Sequence, residues 1–258
     1  MRTRDCFVFL DLDAISAATI DKLPIWAHVR QSRRYGMPMH PDILSVTARG
    51  HASMDQPPVS RGFRSKRQTS EAPRLPPGQY LTTDFPVLSA GPTPEIRVAD
   101  WKIALQLGGS LLGVWTWDEF ETLPQTTITT DIHCVTKWTK LNTVWQGVTF
   151  DDLLKVVGLS EPPGAYAMAH CDGGYTTNLP VADLIAGRAM IATRYGGLPL
   201  APAHGGPARL LVPHLYFWKS AKWLRRLRLM PKDEPGFWES RGYHNYGDPW
   251  REQRYDGD

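Results

Sequence analysis

Short β-type segments cut apart by glycine and proline, with no strand–helix–strand period, limit what this chain can become. Trp101–Leu107 carries apolar residues at 101, 103, 105 and 107, the alternation of a half-buried strand. Gly108-Gly109 ends it, and Leu111–Val114 starts a partner. Thr116-Trp117-Asp118-Glu119-Phe120 reads as a capped short helix with acidic residues in its first turn, stopped by Pro124. Trp145-Gln146-Gly147-Val148 reads as a turn leading to a helix N-cap at Thr149. Tyr166–His170, Ala189–Tyr195, Arg209–Pro213 and Lys222–Leu229 read as strands, and Pro180–Ala186 as a helix of roughly two turns. Pro231–Asp258 is rich in Gly, Pro and Trp and predicts an aromatic-anchored tail wrapped over the core. Interleaved strands and short helices without a βαβ period predict an α+β fold.

The expected domain spans 69–258, preceded by a basic extension over 1–68. Residues 1–70 hold 11 Lys/Arg against 6 Asp/Glu, whereas the remainder holds 18 against 20. The extension shows weak periodicity beyond a short helix at Ala14–Leu23 and reads as disordered. Its charge reads as solvated, not as a nucleic-acid surface. Three cysteines, Cys6, Cys134 and Cys171, give no disulfide framework and fit a reducing compartment. No apolar run approaches the roughly 18 residues of a membrane span. Cytoplasmic is the expected location.

Cys134 lies at the end of the β-rich run Thr126–Thr130, where a scaffold opens into a loop. His133 and Lys137 favour a thiolate there, either a nucleophile or a ligand for a soft metal. A buried structural cysteine is the equally weighted alternative. The pairs His133-Cys134 and His170-Cys171 suggest zinc, but neighbours on extended backbone point to opposite faces, and the usual ligand spacings are missing. Cys171 therefore reads as core. His204-Gly205-Gly206-Pro207-Ala208-Arg209, followed by Lys219, Ser220 and Lys222, combines glycines with cationic donors and suits a phosphate. A solvated basic strand preceded by a Gly-Pro turn is the plainer reading.

These stretches, with Pro76-Pro77-Gly78-Gln79-Tyr80, Asp84-Phe85-Pro86-Val87-Leu88 and Gly174-Tyr175-Thr176-Thr177-Asn178-Leu179-Pro180, occur in one order. In that order the chain resembles the molybdopterin-binding domain of the sulfite oxidase family, especially short bacterial members without haem, from about Leu75 to Trp250. The resemblance implies a mixed, sheet-rich fold and a molybdenum-molybdopterin cofactor. It implies that the thiolate of Cys134 binds molybdenum and that Tyr175 sits near the metal's oxo face. By the same likeness Asp84, Phe85, His204, Arg209, Ser220 and Lys222 hold the pterin and its phosphate. Sulfite oxidases carry an arginine where Thr82 stands, which weakens the case for an anionic substrate. The expectation is oxygen-atom transfer on a small molecule such as an S- or N-oxide, with a separate electron-transfer partner and the chain a monomer. Sulfite oxidation, and a non-catalytic binding module of the same fold, are the alternatives.

Overall fold

The computed structural model describes residues 74–258, so the N-terminal extension, its expected helix and Cys6 lie outside the described residues. Two sheets carry the fold. The first is built on a 12-residue strand β5 (Trp138–Thr149), which pairs antiparallel with β4 (Thr126–His133) and β8 (Met190–Tyr195) and parallel with β1 (Tyr80–Leu81). β10 (Arg209–Leu211) and β9 (Leu198–Pro199) extend it through β8. The second sheet runs β3 (Ser110–Thr116), β2 (Lys102–Leu107), β11 (Leu224–Met230), β6 (Tyr166–Cys171), β7 (Thr176–Pro180), with only the β2–β11 pair parallel.

The main core lies between the sheets. Ile103, Leu105, Ala167, Ala169, Leu227 and Leu229 from the second sheet meet Val148, Ile191 and Leu210 from the first. Phe120 of helix α1 (Trp117–Glu121) and Phe150, Leu153 and Leu154 of α2 (Phe150–Val156) join them. The first sheet is covered on its other face as well: Met190, Ala192 and Leu211 alternate away from Ile191 and Leu210 into a second cluster with Ile132, Cys134, Trp138 and Trp145. A sheet buried on both faces reads as continuous apolar runs, as β8 and β10 do.

Local signals are realised where expected at the helix starts. Thr116 and Glu119 form a reciprocal capping box, and Thr149 Oγ1 accepts from Asp152 N at 3.1 Å. Two expectations are corrected. Trp145–Val148 is the end of β5, not a turn. Gly147 is there because a Cβ would lie 2.0 Å from the Ile191 carbonyl oxygen, so β5 and β8 need the bare backbone to approach. Pro180–Ala186 forms a single 3₁₀ turn, Val181–Asp183, in place of two helical turns. The Asp151 carboxylate takes the Ala186 and Gly187 amides at 2.9 and 2.8 Å, and both residues adopt positive φ, which ends any helix.

The tail beyond β11 carries a chain of aromatic contacts. Its aromatic residues stack in series, with Trp238 on Tyr243 at 4.9 Å and Tyr243 edge-on to Trp218 at 5.2 Å.

Candidate active site

Cys134 opens the four-residue connection between β4 and β5. Its amide donates to Trp138 O at 2.9 Å, and its carbonyl accepts from Lys137 N at 3.0 Å and from the buried Gln79 Nε2 at 3.1 Å. Lys137 takes a positive φ of 74° to close this turn. Cys134 is only 6% exposed. Burial pushes its thiol up; the Thr136 hydroxyl, the Thr136 and Val135 amides and then Lys222 pull the other way. A sulfur so placed needs a positive partner to persist as thiolate. His133, beside it, turns to Thr139 Oγ1 at 3.0 Å, and burial lowers it to about 4, so it is neutral.

The second part of the site is the 201–209 loop with Lys222. A Cβ on Gly205 would stand 3.0 Å from Lys222 Cα and 3.1 Å from Arg209 Cβ, so the bare glycine lets the loop lie directly on both cations. Its φ of 107° also favours glycine. Arg209 is 1% exposed, with its guanidinium 4.1 Å from the Phe217 ring, and donates to the carbonyls of His204 (2.8 Å) and Ser220. Lys222 donates to the carbonyls of Leu88 (2.6 Å) and Ala203 (2.7 Å). Burial, then Arg209, lowers Lys222 to about 8, and burial followed by the same two cations lowers His204. Among the described residues, neither Arg209 nor Lys222 has a carboxylate partner. A buried and a half-buried cation without a counter-charge leave room for an anionic group.

Phe85 stacks on the His204 imidazole at 3.9 Å and 9°, and packs against the cluster that contains Cys134. The structure thus brings Cys134, Phe85, His204, Arg209 and Lys222 into one neighbourhood. The other expected residues are placed differently. Asp84 is exposed, with its amide on Thr82 Oγ1 at 3.1 Å. Ser220 is buried, and its hydroxyl accepts from Val212 N at 2.9 Å, fastening the loop. Tyr175 donates its only hydroxyl proton to Trp218 O at 2.7 Å and packs on Phe237. As placed, it fixes Trp218, and donation to a substrate oxygen requires leaving that carbonyl. Lys219, grouped with the phosphate set on sequence, is fully buried and paired with Glu239 at 2.6 Å. Gln79 and Thr136, which hold Cys134 directly, escaped the residue-by-residue reading. Gln79 stood inside a quoted motif, but its side-chain partner is a loop far along the chain.

Comparison with known proteins bears on this geometry. The chain matches the family described as "Oxidoreductase molybdopterin binding domain" over residues 90–238. It belongs to that family. It is 41% identical over 197 residues to the "Uncharacterized oxidoreductase YuiH" of Bacillus subtilis, a match covering 76% of this chain and 99% of that protein. It is 28% identical over 174 residues to the "Putative protein-methionine-sulfoxide reductase subunit YedZ1" of Azospira oryzae, covering 66% of each. It is 24% identical over 196 residues to the mitochondrial sulfite oxidase of Drosophila melanogaster, covering 65% of this chain and 34% of that protein. The chain is a molybdopterin-dependent oxidoreductase of the sulfite oxidase type. The chemistry of its residues is compatible with the cofactor: a buried sulfur lies near cations that, among the described residues, have no carboxylate partner. Among the described residues, no helix is long and apolar enough to cross a membrane.

Proposed function

We propose that this oxidoreductase transfers an oxygen atom at a molybdenum ligated by Cys134, and that it reduces a neutral S- or N-oxide. When bound, the cofactor supplies two-electron cycling between Mo(VI) and Mo(IV). The protein's share is placement. The β4–β5 turn presents one soft sulfur donor from a rigid corner. His204, Arg209 and Lys222 neutralise the phosphate-bearing end, and Phe85 closes over His204.

The observation that carries the direction is Thr82. Where the resemblance expects a cation, this chain has a neutral side chain whose hydroxyl accepts its own loop's amide at Asp84. A site without that charge has less to offer an anion such as sulfite. The relative named a methionine-sulfoxide reductase subunit supports the same direction, and the word subunit supports a separate electron-transfer partner. Three cysteines, of which the two described are free, support a cytoplasmic location. We take the chain as a monomer.

The test is metal analysis of protein purified from a host that makes molybdopterin, wild type beside Cys134→Ala, followed by turnover of sulfoxides and sulfite. One molybdenum per wild-type chain, turnover of a sulfoxide, and its loss in Cys134→Ala are expected. Faster turnover of sulfite would reverse the direction. Full activity in Cys134→Ala would remove the role given to that sulfur.

A further inference from the structure

We propose that the Thr136 hydroxyl is a positioning residue for the Cys134 sulfur, set to weaken its donation to the metal and so raise the metal's reduction potential. The inference rests on the reading of Cys134 as the molybdenum ligand.

Thr136 Oγ1 donates to Cys134 Sγ at 3.2 Å, the only side-chain hydrogen bond to this sulfur among the described residues. The donor sits two residues along the same turn, and the turn is fastened on every side. Lys137 N returns to Cys134 O, Cys134 N goes to Trp138 O, and Tyr80 N reaches across from β1 to Lys137 O at 2.8 Å. Gln79 Nε2 holds the Cys134 carbonyl from the same neighbouring segment. Val135, between the two, packs against the second core cluster. The backbone therefore leaves the hydroxyl and the sulfur little freedom to separate. Cys134 is buried while Thr136 is exposed.

A hydrogen bond to a coordinated thiolate draws electron density from the sulfur lone pairs. The sulfur then donates less to the metal, and the oxidised metal loses more stabilisation than the reduced one. Hydrogen bonds to cysteinyl sulfur act in this direction in other metal centres. Lys222 also acts on this sulfur, but it donates to the 201–209 loop as well, so its removal would not isolate the effect. Thr136 can be changed alone. Valine keeps its shape and removes the hydroxyl; serine keeps the hydroxyl and removes a methyl group.

The experiment is a redox titration of molybdenum-loaded protein, followed by the Mo(V) paramagnetic resonance signal and by sulfur-to-molybdenum charge-transfer absorption. Wild type, Thr136→Val, Thr136→Ser and Cys134→Ala are compared at equal molybdenum content. Thr136→Val is expected to keep its metal and the charge-transfer band, to shift the potential to more negative values, and to alter the Mo(V) signal. Thr136→Ser is expected to return both to the wild-type values. A Thr136→Val protein with the wild-type potential and signal would overturn the proposal, as would a Thr136→Ser protein that behaves like Thr136→Val. Cys134→Ala separates the two levels of the argument. If it retains the wild-type band and signal, the ligand assignment fails and the proposal falls with it. If it loses them while Thr136→Val changes nothing, only the role of Thr136 fails.

Discussion

Lys219 and Lys222 stand three positions apart, and the fold treats them in opposite ways. Lys219 is fully buried and fully answered. Its ammonium reaches Glu239 at 2.6 Å, the Asn178 carbonyl at 2.9 Å and the Asn245 carbonyl at 2.7 Å. Glu239 Oε1 also accepts from Thr177 Oγ1 at 2.8 Å and Trp218 Nε1 at 3.0 Å. This network nails the C-terminal tail to β7. Among the described residues Lys222 donates hydrogen bonds only to carbonyls, with Arg209 close by and no carboxylate partner. A buried charge that is paired serves the fold; one left unpaired beside a like charge leaves room for an anionic group.

The comparison breaks most visibly at Lys219. Lys219→Met leaves Glu239 buried without its counter-charge, and about 3–5 kcal/mol of stability is expected to disappear in denaturant unfolding. Lys219→Met with Glu239→Leu is expected to recover more than half of that. A single variant as stable as wild type would mean the tail is held by its aromatic stack alone.

Lys222→Gln is expected to do the reverse. Cofactor-free protein keeps or gains stability, because a like-charge contact with Arg209 is removed. Molybdopterin affinity falls by about ten- to a hundredfold, the worth of one charge-assisted hydrogen bond of roughly 1.5–3 kcal/mol. Molybdenum content after dialysis checks it. Retained metal in this variant would move the phosphate away from Lys222.

The same residue yields a pH signature. Its folded value is lowered to about 8 from the ordinary 10.5. Between those values the unfolded chain binds more protons than the folded one, so stability rises with pH. The penalty is fully present below pH 8 and relieved by pH 10.5. In cofactor-free protein, the wild-type stability curve is expected to climb across this window relative to that of Lys222→Gln. Parallel curves would show that Lys222 is not held charged against its surroundings.

A third basic residue marks the low end. Arg225 pairs with Asp172 at 2.6 Å, but both side chains are about one-quarter to one-third exposed. Arg225→Ala is expected to cost no more than about 1 kcal/mol in thermal unfolding. A larger loss would show that its contact with the Asp100 carbonyl, at 3.2 Å, also secures the segment before β2.

Much of this is legible in the sequence. The strand at Trp101–Leu107 followed from alternation, and the helix starts at Thr116 and Thr149 from capping chemistry, each a signal contained within one or two turns of chain. Cys134 at a strand end followed from the threonine-rich run before it. The ordered motifs identified the cofactor class. In sequence Gly147 reads as a turn, because a glycine pattern does not say whether it bends the chain or admits a neighbouring strand.

Periodicity, propensity and caps are local quantities, and they suffice to place strands, helix starts and the cysteine corner. The partner of a polar side chain is a different kind of fact. Lys219 finds Glu239 in the tail, Tyr175 finds the Trp218 carbonyl, and Gln79 finds Cys134 across the first sheet. Each choice depends on which segments the packed sheets bring within about 3 Å, and hydrogen bonds lose their strength beyond that reach. Only the closed core sets those distances, and with them which cation meets a carboxylate and which, among the described residues, meets only carbonyls.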